Sequence, residues 1–553
     1  MDKCETLDSG NVSEEKIKPR NTASGIPVKI VYTPEDIKDL DYTKELNDPG
    51  KYPFTRGLYA SGYREFAWGQ RPVLGYGLPE DTNKRIKYLL KYGMVSPGGL
   101  PSYSITMDMP TAFGYDSDDP RIAQWVGLSG PPCNSIKDME ATIEGIPLEG
   151  VYAGILGYAP PWRLAHYVAM ADNRGVPRAK LTGAILGDSL HGRIGDGVHV
   201  FPPRACLRLI ADTMKFIVEQ VPNFRACDIQ GYSSREAGCN AIQEVAFCIS
   251  DAIEVINACL AIGLDIDAIA SRITFFFAGY SDFFEEIAKF RAARKVWAQV
   301  MSQRFKAKKS GNLRMRFMVK TSASTLPAQH PLLNIARSNL QAVSAILGGA
   351  NALFITAFDE SYGSPTEQSA RIALLSGKVL EHETGIADVT DPLGGSYYVE
   401  HLTREMEKAI WAYIEKIDAM GGYVTALENG YLQREIELAN AQYSHDIDSG
   451  KKIWVGVNKY QPEKGEEYPV EVFRQDPVRV VKVMTNRLQR LRAERDNGRV
   501  KEVLAKLKEA SLSGGHIVPI MVEASKAYCT VAEVYGVFKK VWGVDDQCLI
   551  PLQ

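Results

Sequence analysis

Nine cysteines stand far apart in this sequence, at Cys4, Cys133, Cys206, Cys227, Cys239, Cys248, Cys259, Cys529 and Cys548, and no two form a CxxC pair. That spacing argues against a disulfide framework and reads as reduced thiols in a cytoplasmic protein. The eight histidines make neither an HxH nor an HExxH spacing, so no metal site is expected. No apolar run reaches about 20 residues, which excludes a spanning helix. The polar start MDKCETLDSGNVSEEKIKPRNTASG lacks the apolar core of a signal peptide. Neither sign of charge prevails: 64 Lys and Arg against 67 Asp and Glu leave a net charge of -3, which fits neither a nucleic-acid nor a membrane-surface protein. There is no GxSxG elbow, no P-loop, and no GxGxxG after the first strand, which weakens hydrolase, NTPase and dinucleotide-binding readings.

What is present is a rhythm. Short β-rich segments recur at 102–110, 151–156, 180–186, 226–232, 272–277, 313–321, 350–358 and 385–392. Between most of them, stretches such as PRACLRLIADTMKFIVEQV and DFFEEIAKFRAARKVWAQVMSQRF carry apolar residues at three-and-four spacing. Eight strand–helix steps in about 290 residues predict an α/β fold, a (β/α)8 barrel over 101–398, although the count by itself leaves an open sheet in play. A loose arm over 1–26 and a lead-in segment over 27–100 precede it. Over 399–553 the pattern turns to charged amphipathic helices, a mostly helical extension whose charge runs are solvated faces or, alternatively, a partner surface. In a barrel, chemistry belongs at the strand ends, which here carry Asp108, Asp188, Tyr232, Ser233, Glu236, Lys320, Glu360 and Asp391.

Longer strings are more specific. KYPFTRGLYASGY, EDTNKRIKYL, MDMPTAFGYDSDDPR, GYSSREAGCNAIQE, FFEEIAKFRAARKVWA, DPLGGSYYVE, IWVGVNKY and LRAERD resemble the methylmalonyl-CoA mutase family, in that family's order, from about residue 27 onward. In layout the chain is most similar to large subunits of the 2-hydroxyisobutyryl-CoA mutase type. The resemblance implies a barrel that threads the pantetheine arm of a CoA ester along its axis, and adenosylcobalamin across the strand ends driving a radical carbon-skeleton rearrangement. The family's cobalamin domain carries a DxHxxG motif. Here DSLHG and SHDIDSG come nearest and neither has the spacing. The resemblance therefore implies a separate small cobalamin-binding subunit, and a heterotetramer of large and small subunits.

Site residues follow by matching motifs. Tyr59, Ser61, Ser104 and Arg272 match CoA contacts, while Glu236, Glu360 and Ser129 fall on the cofactor side. Structural readings stand beside these: Tyr59 packing, Arg272 in a strand-end ion pair. The reaction centre departs from the pattern. The family's GYH is Gly231-Tyr232-Ser233, so a His that bonds the thioester carbonyl is replaced by a weaker hydroxyl donor. Val73 stands for a Tyr that steers the radical, and Asp196 for an Arg that pairs with the free carboxylate of methylmalonyl-CoA. Leu186, Met318, Lys320, Phe66, Gly154 and Leu156 replace polar family residues, with extra residues around Ser96-Pro97-Gly98-Gly99.

Asp196 opposite a substrate carboxylate would cost several kcal/mol in a dry pocket, so methylmalonyl-CoA is not the expected substrate. A hydroxyl, amine, branched or aromatic acyl group is, with Tyr232, Ser233, Asp196 and Lys320 at the reaction centre. Lys320 either pairs with Asp196 or receives a carboxylate from another direction. A one-residue slip in the glycine-rich loop brings Arg193 or Asp188 into play, with Asp108 a further reserve. A mutase of a non-CoA substrate and a silent structural subunit are the rival readings.

Overall fold

In the computed structural model, residues 19–157, 161–463 and 468–546 are described; most of the expected arm over 1–26 lies outside them. Eight parallel strands close into a barrel. They are β1 (Gly69–Gln70 and Val73–Leu74), β2 (Ser102–Ile105), β3 (Tyr152–Leu156), β4 (Thr182–Leu186), β5 (Phe224–Arg225 and Cys227–Ile229), β6 (Ile273–Gly279), β7 (Phe317–Thr321) and β8 (Ala352–Phe354). Two strands change partner midway. The first half of β1 pairs with β8 and its second half with β2, whereas β5 turns from β4 to β6. Those two joints close the ring.

This corrects the expected bounds of the barrel. Its first strand is 69–74, because Pro72 removes a ladder donor and splits the strand into two short pieces. The segment 385–392 is a loop, not a strand. Its Asp391 sits at φ +50° and binds Arg56 at 2.9 Å and Arg291 from two directions, an anchoring role that needs a bent backbone.

A helix follows each strand on the outside: α1 (Pro79–Leu90), α2 (Ile136–Thr142), α3 (Trp162–Asn173), α4 (Pro203–Gln220), α5 (Ala241–Ala261), α6 (Phe283–Gln299), α7 (Leu333–Leu347) and α8 (Glu367–Glu383). Local sequence sets their starts. Asn240 accepts from the amides of Ile242 and Gln243, and the Gln243 side chain returns the bond. The main core lies between strands and helices, and continues into the C-terminal extension through Val480, Met484, Val503 and Met521. Polar staples join the same parts. Arg492 reaches Asp116 at 2.7 Å, and Asp212 accepts from the amides of Ile517 and Val518, each at 2.9 Å. The stretch before the last helices crosses the strand-end face, where Gln475 donates to the Leu128 carbonyl at 2.7 Å. No described helix is long and apolar enough to cross a membrane.

Candidate functional site

An ordinary barrel of this kind fills its axis with layers of large branched side chains. Here the inward positions on three strands are Gly154, Ala184 and Ala352. The remaining interior apolar groups form two separate small clusters, Tyr152 with Leu186 and Phe276 with Met318. Space is left along the axis. A lower cavity of about 410 Å³ opens between Tyr59–Ala67 and Pro97–Gly98 and reaches in to Leu186, Met318 and Ala352. An upper cavity of about 400 Å³ at the carboxyl ends of the strands is lined by Val73, Thr106, Ser129, Lys320, Phe354 and Glu360. On β7 and β8 the two follow one another, Met318 and Ala352 facing the lower, Lys320 and Phe354 the upper.

Of the expected cofactor-side residues, Glu360 and Ser129 line the upper cavity and Glu236 does not. Lys320 Nζ lies 3.3 Å from Glu360 and sits 4.6 Å and 4.8 Å from the ring centroids of Tyr232 and Phe354. Its partner is thus Glu360 and not Asp196. Burial opposes the ammonium charge, but Glu360 and Tyr232 outweigh it and hold Lys320 above the ordinary lysine range. Tyr232 stacks on Phe276 at 5.3 Å and burial drives its phenol well above the usual value. Ser129 Oγ donates to the Met107 carbonyl at 3.3 Å. Glu236 accepts from the Ser324 amide at 2.7 Å, while its other carboxylate oxygen is buried with no hydrogen-bond partner. Glu236 lies near enough to Lys320 to act on its charge, and a buried carboxylate oxygen without a partner fits a polar cofactor at this face.

Ser233 Oγ contacts both Asp196 and Gln230 at 3.3 Å. Asp196 is exposed, so the charge repulsion expected of it belongs to a dry pocket that the structure does not provide at that position, and solvent screens it. Neither residue lines either cavity, although both sit at the same strand-end face after β4 and β5.

Tyr59 and Ser61 line the lower cavity; the Arg314 guanidinium lies 5.2 Å from the Tyr59 ring. Ser104 is buried, 3.5 Å from Arg71. Arg272 is turned away: it donates to the carbonyls of Ala268 and Pro222 at 2.8 Å and 3.1 Å and lines neither cavity, so its place is a loop staple rather than a strand-end ion pair. Asp108 caps a short helix through the Thr111 amide at 3.1 Å, with burial raising its pKa to about 6. Asp188 accepts from His191 and Gln230 amides at 2.6 Å and 3.2 Å. Both reserves are therefore structural. The sequence reading missed Arg71, Arg225, Asp228, Thr274 and Arg316, all on the lower cavity. Asp228 alternates with Cys227 and Ile229 in an otherwise apolar strand, a signal that was there to be read.

With an open axis and a charged strand-end mouth in place, the comparison with known proteins is decisive. The family described as methylmalonyl-CoA mutase matches residues 21–544. The chain belongs to the methylmalonyl-CoA mutase family. It is 38% identical over 525 residues to methylmalonyl-CoA mutase of Cereibacter sphaeroides, covering 95% of this chain and 72% of that protein. To the 2-hydroxyisobutanoyl-CoA mutase large subunit of Aquincola tertiaricarbonis it is 36% identical over 531 residues, 96% and 93%. To the human mitochondrial methylmalonyl-CoA mutase it is 37% identical over 526 residues, 95% and 68%. The chain is accordingly a coenzyme-B12-dependent isomerase of the mutase class, and its barrel is the family's.

Proposed function

We propose that this chain is the substrate-binding large subunit of a cytoplasmic adenosylcobalamin-dependent acyl-CoA mutase whose substrate is not methylmalonyl-CoA. The cofactor is held mainly by a separate small subunit, in a heterotetramer. The open barrel axis carries the proposal: a cavity entered from one end is followed by a second at the strand-end mouth, the layout an extended thioester needs to bring its acyl group to a cofactor. A silent subunit with a filled barrel would lack this space. A relative 36% identical to the chain and covered over 93% of its length is named a large subunit, which supports a small-subunit partner.

When bound, adenosylcobalamin supplies the radical chemistry of the rearrangement. Glu360, Glu236 and Ser129 are the residues of this chain that would hold its face. Ser233, whose one proton is given to Asp196 or Gln230 at 3.3 Å, would have to release that bond to donate to the thioester carbonyl. Tyr232 closes the mouth by stacking on Phe276 and helps exclude water. Lys320 and Arg85 are the cations lining the upper cavity. Lys320 is paired with Glu360, and Arg85 is bound to the Pro365 carbonyl at 3.0 Å and lies over the Tyr76 ring. Lys320 is thereby committed to Glu360, while Arg85 is 3% exposed and held against the Tyr76 ring. Val73 and Phe354 make the wall apolar. The acyl group that fits is uncharged: branched, aromatic or hydroxylated.

The test mixes the full chain with adenosylcobalamin and a cobalamin-binding small subunit, then adds a panel of acyl-CoA esters under electron paramagnetic resonance. A cob(II)alamin–radical signal with an uncharged ester and none with methylmalonyl-CoA is the expected result. A signal with methylmalonyl-CoA alone overturns the substrate assignment. Silence across the panel, with cobalamin shown bound, overturns the acyl-CoA reading.

A further inference from the structure

Two fully buried polar rings play no part in the chemistry set out above, yet they sit directly behind it. His191 stands between β4 and α4, in the segment that also carries Asp196. Tyr423 opens the helix Tyr423–Glu428 of the C-terminal extension. Their exposures are 0% and 1%. The two nitrogens of His191 join two hydroxyls: Nδ1 lies 3.1 Å from Tyr423 Oη, and Nε2 lies 2.9 Å from Ser234 Oγ. Ser234 follows Ser233 in the short helix Gly231–Glu236 and donates to the Gly231 carbonyl at 2.9 Å.

The direction of these bonds follows from the protons available. A carbonyl only accepts, and a serine hydroxyl has one proton. Ser234 gives its proton to Gly231 and must therefore receive one from His191 Nε2. Burial holds the ring below the ordinary histidine value, so it is neutral and carries that proton alone. Nδ1 is then an acceptor, and Tyr423 donates to it. Asp251, 3.5 Å from Nδ1, forms no hydrogen bond with it, and Cys248 Sγ is 4.0 Å from Nε2. One directed chain thus runs from the extension to the first carbonyl of the helix bearing Tyr232 and Ser233. The same two segments are bridged by Asp188, which accepts from the His191 and Gln230 amides. They also pack tightly: a Cβ at Gly195 would lie 2.4 Å from Ser233 Cβ. An apolar side chain would fill the buried space at 191 without needing two partners, whereas a histidine there fixes direction. We propose that His191 is a positioning residue that, protonated at Nε2, locks the turn at 231–234 and so fixes where Ser233 Oγ meets the thioester. This rests on the acyl-CoA reading, which places Ser233 at that carbonyl.

Two measurements on the full chain test this. Nitrogen-15 NMR of the histidine-labelled protein, with His191 assigned by the signal lost in His191→Phe, should show a neutral ring protonated at Nε2. A proton on Nδ1, or a doubly protonated ring, overturns the chain of bonds and the role built on it. Calorimetric binding of butyryl-CoA then separates positioning from bulk stability. Ser233→Ala and His191→Phe should each weaken binding about fivefold, and the double variant no more than about twofold beyond either. Unchanged binding in His191→Phe, or losses that multiply in the double variant, overturn the positioning role while the acyl-CoA reading stands. Tyr423→Phe keeps the ring and removes only the donor, and it runs the same cycle should His191→Phe fail to fold. Absence of saturable butyryl-CoA binding by the wild-type chain overturns the acyl-CoA reading, and the positioning role with it.

Discussion

At the scale of single residues, the strand-end mouth is governed by one coupled pair. Lys320 is a half-buried cation whose charge is tolerated because Glu360 lies 3.3 Å away. Removing one partner leaves the other uncompensated, whereas removing both does not. Lys320→Met and Glu360→Gln should each lower the melting temperature, and the double variant should lose less than their sum, with a coupling of about 0.5–3 kcal/mol. Additive losses would show that the two side chains do not sense each other. Glu360→Ala should in addition abolish turnover in the cofactor-loaded complex, and unchanged turnover would remove Glu360 from the cofactor side. Ser233 makes a smaller demand. One neutral hydrogen bond to the thioester is worth about 1 kcal/mol, so Ser233→Ala should reduce kcat/KM roughly 5- to 10-fold. A larger fall, accompanied by a lower melting temperature, would assign Ser233 to holding Asp196 and Gln230 instead.

At the scale of elements, the open axis depends on small residues at inward strand positions. A side chain added at Gly154 would overlap Ser104 Oγ and press on Arg71. Gly154→Val should destabilise the chain by about 1–3 kcal/mol and abolish butyryl-CoA binding, read by melting and calorimetry together; a folded variant that binds normally would show that the arm does not pass β3. The strands themselves were legible where they are long and apolar. ITFFFAG, buried on both faces, declares itself as a barrel strand. β1 does not, because Pro72 and Gly69 look like loop punctuation and each half spans only two residues. The error at 385–392 has the opposite cause. Its alternating apolar pattern matches a strand, but Asp391 is bent to reach Arg56 and Arg291, a long-range pairing that periodicity does not encode. The site followed the same division. Glu236, Glu360 and Ser233 are candidates because motifs carry them. Arg71 and Asp228 are not, since only closure of the ring puts β1 and β5 on one cavity.

For the whole molecule, the buried carboxyls fix how stability answers to pH. Burial raises Asp138 to about 7 and Asp251 to about 8, both far above the value of about 3.9 for an unfolded chain. Between those limits the folded state binds more protons than the unfolded one, so stability falls as pH rises and the penalty is complete above about 8. His166 and His191, buried and held below the ordinary histidine value, act in the opposite sense. Below about 6.5 the unfolded chain takes up protons that these rings refuse, and stability falls as pH drops. Below about pH 6.5 the two contributions oppose each other, and above it the loss from the carboxyls runs alone up to about pH 8. Asp251 is the sharper probe, because both its oxygens lack a hydrogen-bond partner while His191 stands 3.5 Å away. Asp251→Asn removes the charge and keeps the shape. Its melting temperature should exceed wild type at pH 8.5, where the native carboxylate is ionised, and match it or fall below at pH 6, where the native carboxyl is already neutral. An equal shift at both values would mean that Asp251 does not titrate in this range.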